Sequence, residues 1–118
     1  MEIGEKLVVR SRAEWRAWLK RHHGDRREIW LVYGKKGSGR PGISYEEAVQ
    51  EALCFGWIDG MEKGIDAFTY AGRFTPRREK SNWSDSNRER VKKLLSEGRM
   101  APAGIRILPA DLRPGGGA

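Results

Sequence analysis

The sequence predicts an α+β fold, and three observations carry that prediction. Serine-headed helix starts recur at three places, short apolar runs lie between them, and two of those runs follow each other with no helix between. The resulting order is (β)-α-β-α-β-β-α, a small antiparallel or mixed sheet of three to four strands packed with three helices. Strict alternation of strand and helix, the mark of a doubly wound sheet, is missing. The 118 residues suit one domain, expected over residues 1–110. A disordered tail is expected over 111–118, where Arg113-Pro114-Gly115-Gly116-Gly117-Ala118 combines a helix breaker with a run of flexible residues.

The elements follow in order. Leu7-Val8-Val9 suits a short first strand. Ser11-Arg12-Ala13-Glu14 is a capping-box pattern, in which the serine and the glutamate satisfy each other's backbone amides. Behind it Trp15, Trp18, Leu19 and His22 fall on one helical face, and Gly24 is a natural stop. Ile29-Trp30-Leu31-Val32-Tyr33 is apolar on both faces, which predicts a central strand covered on both sides. Gly34 to Gly42 reads as a loop. Ser44-Tyr45-Glu46-Glu47 repeats the box, Ala48, Val49, Ala52 and Leu53 continue an apolar stripe, and Gly56 suits the left-handed position after a helix. Trp57-Ile58-Asp59 and Phe68 to Phe74 read as two strands, with the return placed at Gly60-Met61-Glu62-Lys63-Gly64. Phe68, Tyr70 and Phe74 share a face, and Phe68 and Tyr70 are expected in the core. The third helix starts near Ser84 or Ser86, buries Val91, Leu94 and Leu95, and ends at Gly98.

Charge is unevenly spread. The net charge is +7, and between Arg73 and Lys93 eight basic residues face three acidic ones, which places most of the excess in one segment. A localised excess points to an anionic partner better than a high isoelectric point does. Within this segment Arg73-Phe74-Thr75-Pro76-Arg77-Arg78 is followed by Ser81-Asn82-Trp83-Ser84 and Asn87. A strand end, an arginine-rich turn and a helix N-terminus meet there, and free helix amides favour anions. The expected site comprises Arg73, Arg77, Arg78, Ser81, Trp83, Ser84 and Asn87, with Asp59 and Trp57 behind them and Lys35 and Lys36 reaching in from the glycine-rich loop. The competing reading is architectural, with Ser84 only a cap and Asp59 in a structural ion pair with Arg73 or Arg77.

Several motifs together resemble one known family. They are Trp30-Leu31-Val32-Tyr33-Gly34-Lys35-Lys36, Glu51-Ala52-Leu53-Cys54-Phe55-Gly56-Trp57-Ile58-Asp59-Gly60, the Arg73–Asn87 segment, and Gly98-Arg99-Met100-Ala101-Pro102-Ala103-Gly104. In this order they resemble the bacteriocin-protection family, also called YdeI/OmpD-associated, from about Trp15 to Gly104. The resemblance implies a bacterial stress-resistance role, tied to bacteriocins and antimicrobial peptides, and implies no particular catalytic chemistry.

Other chemistries find little support. The single Cys54 excludes an internal disulfide, and its place beside an apolar stripe predicts a buried structural thiol. His22 and His23 are adjacent, so on a helix they point about 100° apart and cannot chelate from one face. No metal site and no cofactor is expected. Gly34-Lys35-Lys36-Gly37-Ser38-Gly39-Arg40 places its lysines before the glycines, unlike a phosphate-loop motif, though such a turn can still contribute amides to an anion site. No apolar run is long enough for a transmembrane helix and the N-terminus lacks a signal-peptide core, so a cytoplasmic location is expected.

Three functions compete. The first is a binding domain for a small anionic or phosphorylated ligand in envelope stress or antimicrobial resistance. The second is a nucleic-acid binder, supported by the basic segment with Trp83, Phe74 and Tyr70 interleaved, but lacking a recognised nucleic-acid motif. The third is an enzyme acting on a nucleotide or sugar, which no nucleophile–base pair supports.

Overall fold

The computed structural model describes residues 2–39, 42–78 and 81–114. The fold is α+β: β1 (Lys6–Val8), α1 (Arg12–His22), β2 (Ile29–Gly34), α2 (Tyr45–Cys54), β3 (Trp57–Gly64), β4 (Thr69–Pro76), α3 (Asp85–Ser96) and α4 (Pro102–Arg106), followed by a 3₁₀ turn at Ala110–Leu112. The sheet is mixed, in the order β1-β2-β4-β3. β1 runs parallel to β2, and β4 is antiparallel to both β2 and β3. The hairpin strand β4 is thus inserted between β2 and β3. No helix among the described residues is long and apolar enough to cross a membrane.

Helix starts follow the serines. Ser44 and Glu47 form the full reciprocal box, whereas at Ser11 only half of it forms. There the Glu14 carboxylate accepts from the Arg10 amide instead. Ser84 caps α3 by accepting from the Asn87 amide at 3.1 Å. Gly56 and Gly98 take φ of +76° and +67°, the left-handed conformation that ends α2 and α3 at little cost for glycine.

One face of the sheet carries the helices. Ile29, Leu31 and Tyr33 on β2, Phe74 on β4 and Trp57 on β3 are buried there with Trp15 and Leu19 of α1, Val49 and Leu53 of α2, and Val91 and Leu94 of α3. Trp15 packs on Phe74 with ring centroids 5.2 Å apart. On the other face Trp30 is fully buried. It pairs across strands with Arg73, which is ion-paired to Glu28, and Gly4 lies against its indole edge. The central strand is therefore covered on both faces, the back one by charged side chains and an N-terminal arm rather than by helices.

Four features depart from the sequence reading. β3 does not turn at Gly60 but continues to Gly64, and the return lies at residues 65–68. Asp66 builds that turn, its Oδ1 accepting from the Phe68 and Thr69 amides, each at 2.8 Å. An aspartate that can bond its own following amides sets a turn more strongly than scattered glycines do. Phe68, expected in the core, sits on this turn and is half exposed. Trp18, Val32, Tyr70 and Leu95 are only partly buried. Finally, residues 111–114 are described with the domain: Asp111 pairs with Arg88, and Leu112 is buried in the core, an apolar anchor inside the expected tail. Gly115 to Ala118 lie outside the described residues.

Candidate functional site

Arg77 follows the last residue of β4. Its amide donates to the Gly56 carbonyl at 2.8 Å, tying the arginine turn to the left-handed glycine after α2. Its guanidinium lies over the Trp83 ring, 3.9 Å from the centroid, and Nη2 donates to the Asn82 carbonyl at 2.7 Å. Nε and Nη1 are buried with no hydrogen-bond partner among the described residues, and so is the Ser81 hydroxyl. Buried donors are nearly always paired, so three such atoms within five residues mark this segment out. Burial lowers the Arg77 pKa, and the field of Asp59 opposes that shift without cancelling it.

Ser81 and Trp83 form one wall of a cavity of about 300 Å³, completed by Arg106 at the end of α4, the stretch Ile107 to Ala110, and Arg113. Among the described residues two arginines line it and no carboxylate does. Arg113 is held in place by donating to the Leu108 carbonyl at 2.9 Å and to the Arg106 carbonyl at 3.3 Å. Arg106 and Arg113 were invisible as site residues in the sequence, because only the fold brings the segment after α4 back against Trp83. The local signal was the pair of arginines flanking an apolar stretch.

The other nominated residues lie variously. Ser84 and Asn87 act on α3 itself: Ser84 caps it, and the buried Asn87 accepts from Arg90 at 2.9 Å. Arg78 is exposed beside the turn. Arg73 alternates with Phe74 and so points to the back face, where Glu28 holds it. Trp57 is a core residue, its indole N–H donating to the His23 carbonyl at 3.3 Å. Asp59 forms no ion pair with Arg73 or Arg77; the Tyr45 hydroxyl donates to it at 2.5 Å. Lys35 sits at the far end of β4 and donates to the Asp66 carbonyl at 2.7 Å, with the exposed Lys36 next to it. An eight-residue strand spans roughly 25 Å, so these lysines are out of reach of Arg77. The structure thus gathers Arg77, Ser81 and Trp83, adds Arg106 and Arg113, and leaves the rest in structural contacts or apart.

Sequence reasoning also passed over Glu51, which is completely buried and bound by Arg12, Arg16 and Arg99. Arg12 and Arg16, four apart on α1, were the available signal, since two cations on one helix face call for an acid opposite. Nearby, Cys54 is buried, and burial followed by the Glu51 charge raises its pKa. Gly104 explains the small-residue motif around it. A Cβ there would stand 2.3 Å from the Cys54 carbonyl oxygen, so only glycine lets α4 close on the end of α2. Among the described residues no group of three or more His, Cys, Asp or Glu side chains is placed to hold a metal.

The architecture and this end of it define a small α+β domain with an arginine-lined cavity. Residues 7–107 match the family described as a domain of unknown function, DUF8412, and the chain belongs to that family. No curated protein and no solved structure matches it.

Proposed function

We propose that this domain binds a small anionic or phosphorylated ligand in the cavity walled by Ser81, Trp83, Arg106 and Arg113, with Arg77 stacked behind Trp83. The observation that carries the reading is the Arg77–Ser81 pair. The free Ser81 hydroxyl and the Arg106 and Arg113 guanidinium groups, with no carboxylate among the described lining residues, form the chemistry that an oxyanion satisfies, and the unpartnered Arg77 behind Trp83 adds uncompensated positive charge. A finer reading rests on the motifs quoted above. The domain resembles the bacteriocin-protection, YdeI/OmpD-associated proteins, and its anion site would then serve envelope stress or antimicrobial resistance.

The test is calorimetric titration with inorganic phosphate and pyrophosphate, with a short single-stranded DNA as competitor class. Saturable millimolar or tighter binding of the phosphate probes is expected, with a salt slope near one. The double variant Arg77→Met, Ser81→Ala should abolish it while the melting temperature holds. Tight DNA binding with a steep salt slope would instead favour the nucleic-acid reading, and binding that survives the double variant would move the site elsewhere.

A further inference from the structure

A second cavity, of about 520 Å³, opens on the helix face of the sheet and is lined by Tyr45, Asp59, Gly60, Glu62 and Tyr70. It shares no lining residue with the arginine cavity. Its chemistry is the opposite, aromatic and acidic, in a chain of net charge +7.

A break in strand register builds it. Asp59 pairs with Phe74 and Glu62 with Gly72, so three steps along β3 match two along β4. In a regular strand, side chains three apart lie on opposite faces. The extra residue of the bulge turns both carboxylates to the same face. Tyr33 packs beside the lining residue Tyr70, just beneath the cavity surface. It pairs with Tyr70 across the strands, their ring centroids 5.0 Å apart, and its ring crosses Gly72, where a Cβ would stand 2.8 Å from Cε2. The hydroxyl therefore ends above Gly72, whose partner on the next strand is Glu62. Tyr33 is 2% exposed, and this hydroxyl has no hydrogen-bond partner among the described residues.

We propose that this cavity binds a small organic ammonium ion, a primary amine or its methylated form, between the Asp59 and Glu62 carboxylates and the Tyr45 and Tyr70 rings, above the Tyr33 hydroxyl. Carboxylates and aromatic rings together favour a cation, and the phenol oxygen offers a free acceptor to an N–H. The phenols stay neutral. The hydrogen bond to Asp59 pushes Tyr45 up to about 12, and burial with the field of Glu62 raises Tyr70. Neighbouring cations are engaged elsewhere: Arg90 is forked onto both Glu46 oxygens at 2.9 Å, and Arg77 lies on Trp83. A hard divalent ion is the poorer occupant, since it takes six or more oxygens and one Asp59 oxygen already accepts from Tyr45.

The experiment is an amide-resolved NMR titration of the full chain with n-butylammonium, tetramethylammonium and magnesium chlorides at matched ionic strength. Saturable shifts confined to the amides of Gly60, Glu62, Tyr70 and Gly72 are expected for the two ammonium ions and not for magnesium. Asp59→Asn with Glu62→Gln should weaken binding about tenfold or more, since both counter-charges go. Tyr33→Phe, which keeps the ring and its packing, should weaken n-butylammonium severalfold with an unchanged or higher melting temperature. Absence of saturable shifts, tighter binding of magnesium, or n-butylammonium affinity unchanged in either variant would overturn the proposal.

Discussion

Glu51 and Arg77 are both charged side chains drawn into this small protein, and they have been treated in opposite ways. Around Glu51 the fold closes. Arg16 donates at 2.8 Å and Arg99 at 2.9 Å, Arg12 adds a third contact, and Arg16 also reaches the Arg99 carbonyl at 2.9 Å. Burial alone would raise the Glu51 pKa, but donation from Arg16, Arg12 and Arg99 outweighs it and holds the carboxyl below its usual range. Around Arg77 the fold stays open. One nitrogen has a carbonyl, the plane has an indole, and two nitrogens have nothing among the described residues. A satisfied buried charge joins α1, α2 and the segment before α4. An unsatisfied one, at Arg77, has one carbonyl partner and an indole face. Composition does not show this contrast, since both neighbourhoods are arginine-rich, and it is one of degree, since Arg99 of the Glu51 cluster also keeps one buried nitrogen without a partner among the described residues.

The largest effect should come from breaking the closed end. Glu51→Ala leaves three guanidinium groups facing a void and should cost about 3–5 kcal/mol in a denaturant melt. The pH dependence has a definite sign. Because the folded carboxyl is depressed, its contribution is fully present above the ordinary carboxylate range and is lost as pH falls through the lower folded value. A variant as stable as the parent would show the cluster to be ornamental.

Arg77→Met tests the open end and should behave in the opposite way. It removes a desolvated charge while keeping an unbranched apolar stem beside Trp83. Stability should stay within about 1 kcal/mol of the parent, or rise, while phosphate binding disappears. A loss as large as that of Glu51→Ala would make Arg77 a structural residue and erase the contrast.

The smallest effect belongs to an exposed pair that only looks like the closed cluster. Arg90 forks onto Glu46 and holds its carboxyl at about 2, the hydrogen bond outweighing partial burial. Any stabilisation it gives is present above the ordinary carboxylate value and fades as pH falls toward that midpoint. With the Glu46 side chain half exposed, solvent screening limits it to under about 1 kcal/mol. Carboxyl-detected NMR should place the Glu46 midpoint near this low value and return it to the usual range in Arg90→Met, with little change in the melt. A large drop in stability would mean that this pair, too, belongs to the framework.

The sequence by itself determined the elements and much of the core. Helix starts were legible because a serine cap and its partner lie within three residues, and helix ends because glycine, as at Gly56 and Gly98, accepts a left-handed backbone cheaply. β2 was legible as a central strand from its unbroken apolar run. Arg77, Ser81 and Trp83 were legible as companions because they are close in the chain. What required the tertiary structure depends on distant pairings. The insertion of β4 between β2 and β3 leaves no local trace, and the burial of Glu51 by arginines 35 to 48 residues away and the return of Arg106 and Arg113 to Trp83 leave only paired arginines whose partner the sequence does not name. The one-residue bulge is the clearest case. Alternation along β3 puts Asp59 and Glu62 on opposite faces, and only the register against β4 turns both toward Tyr33. Side-chain direction in a strand follows from its partner's hydrogen bonds as much as from its own sequence.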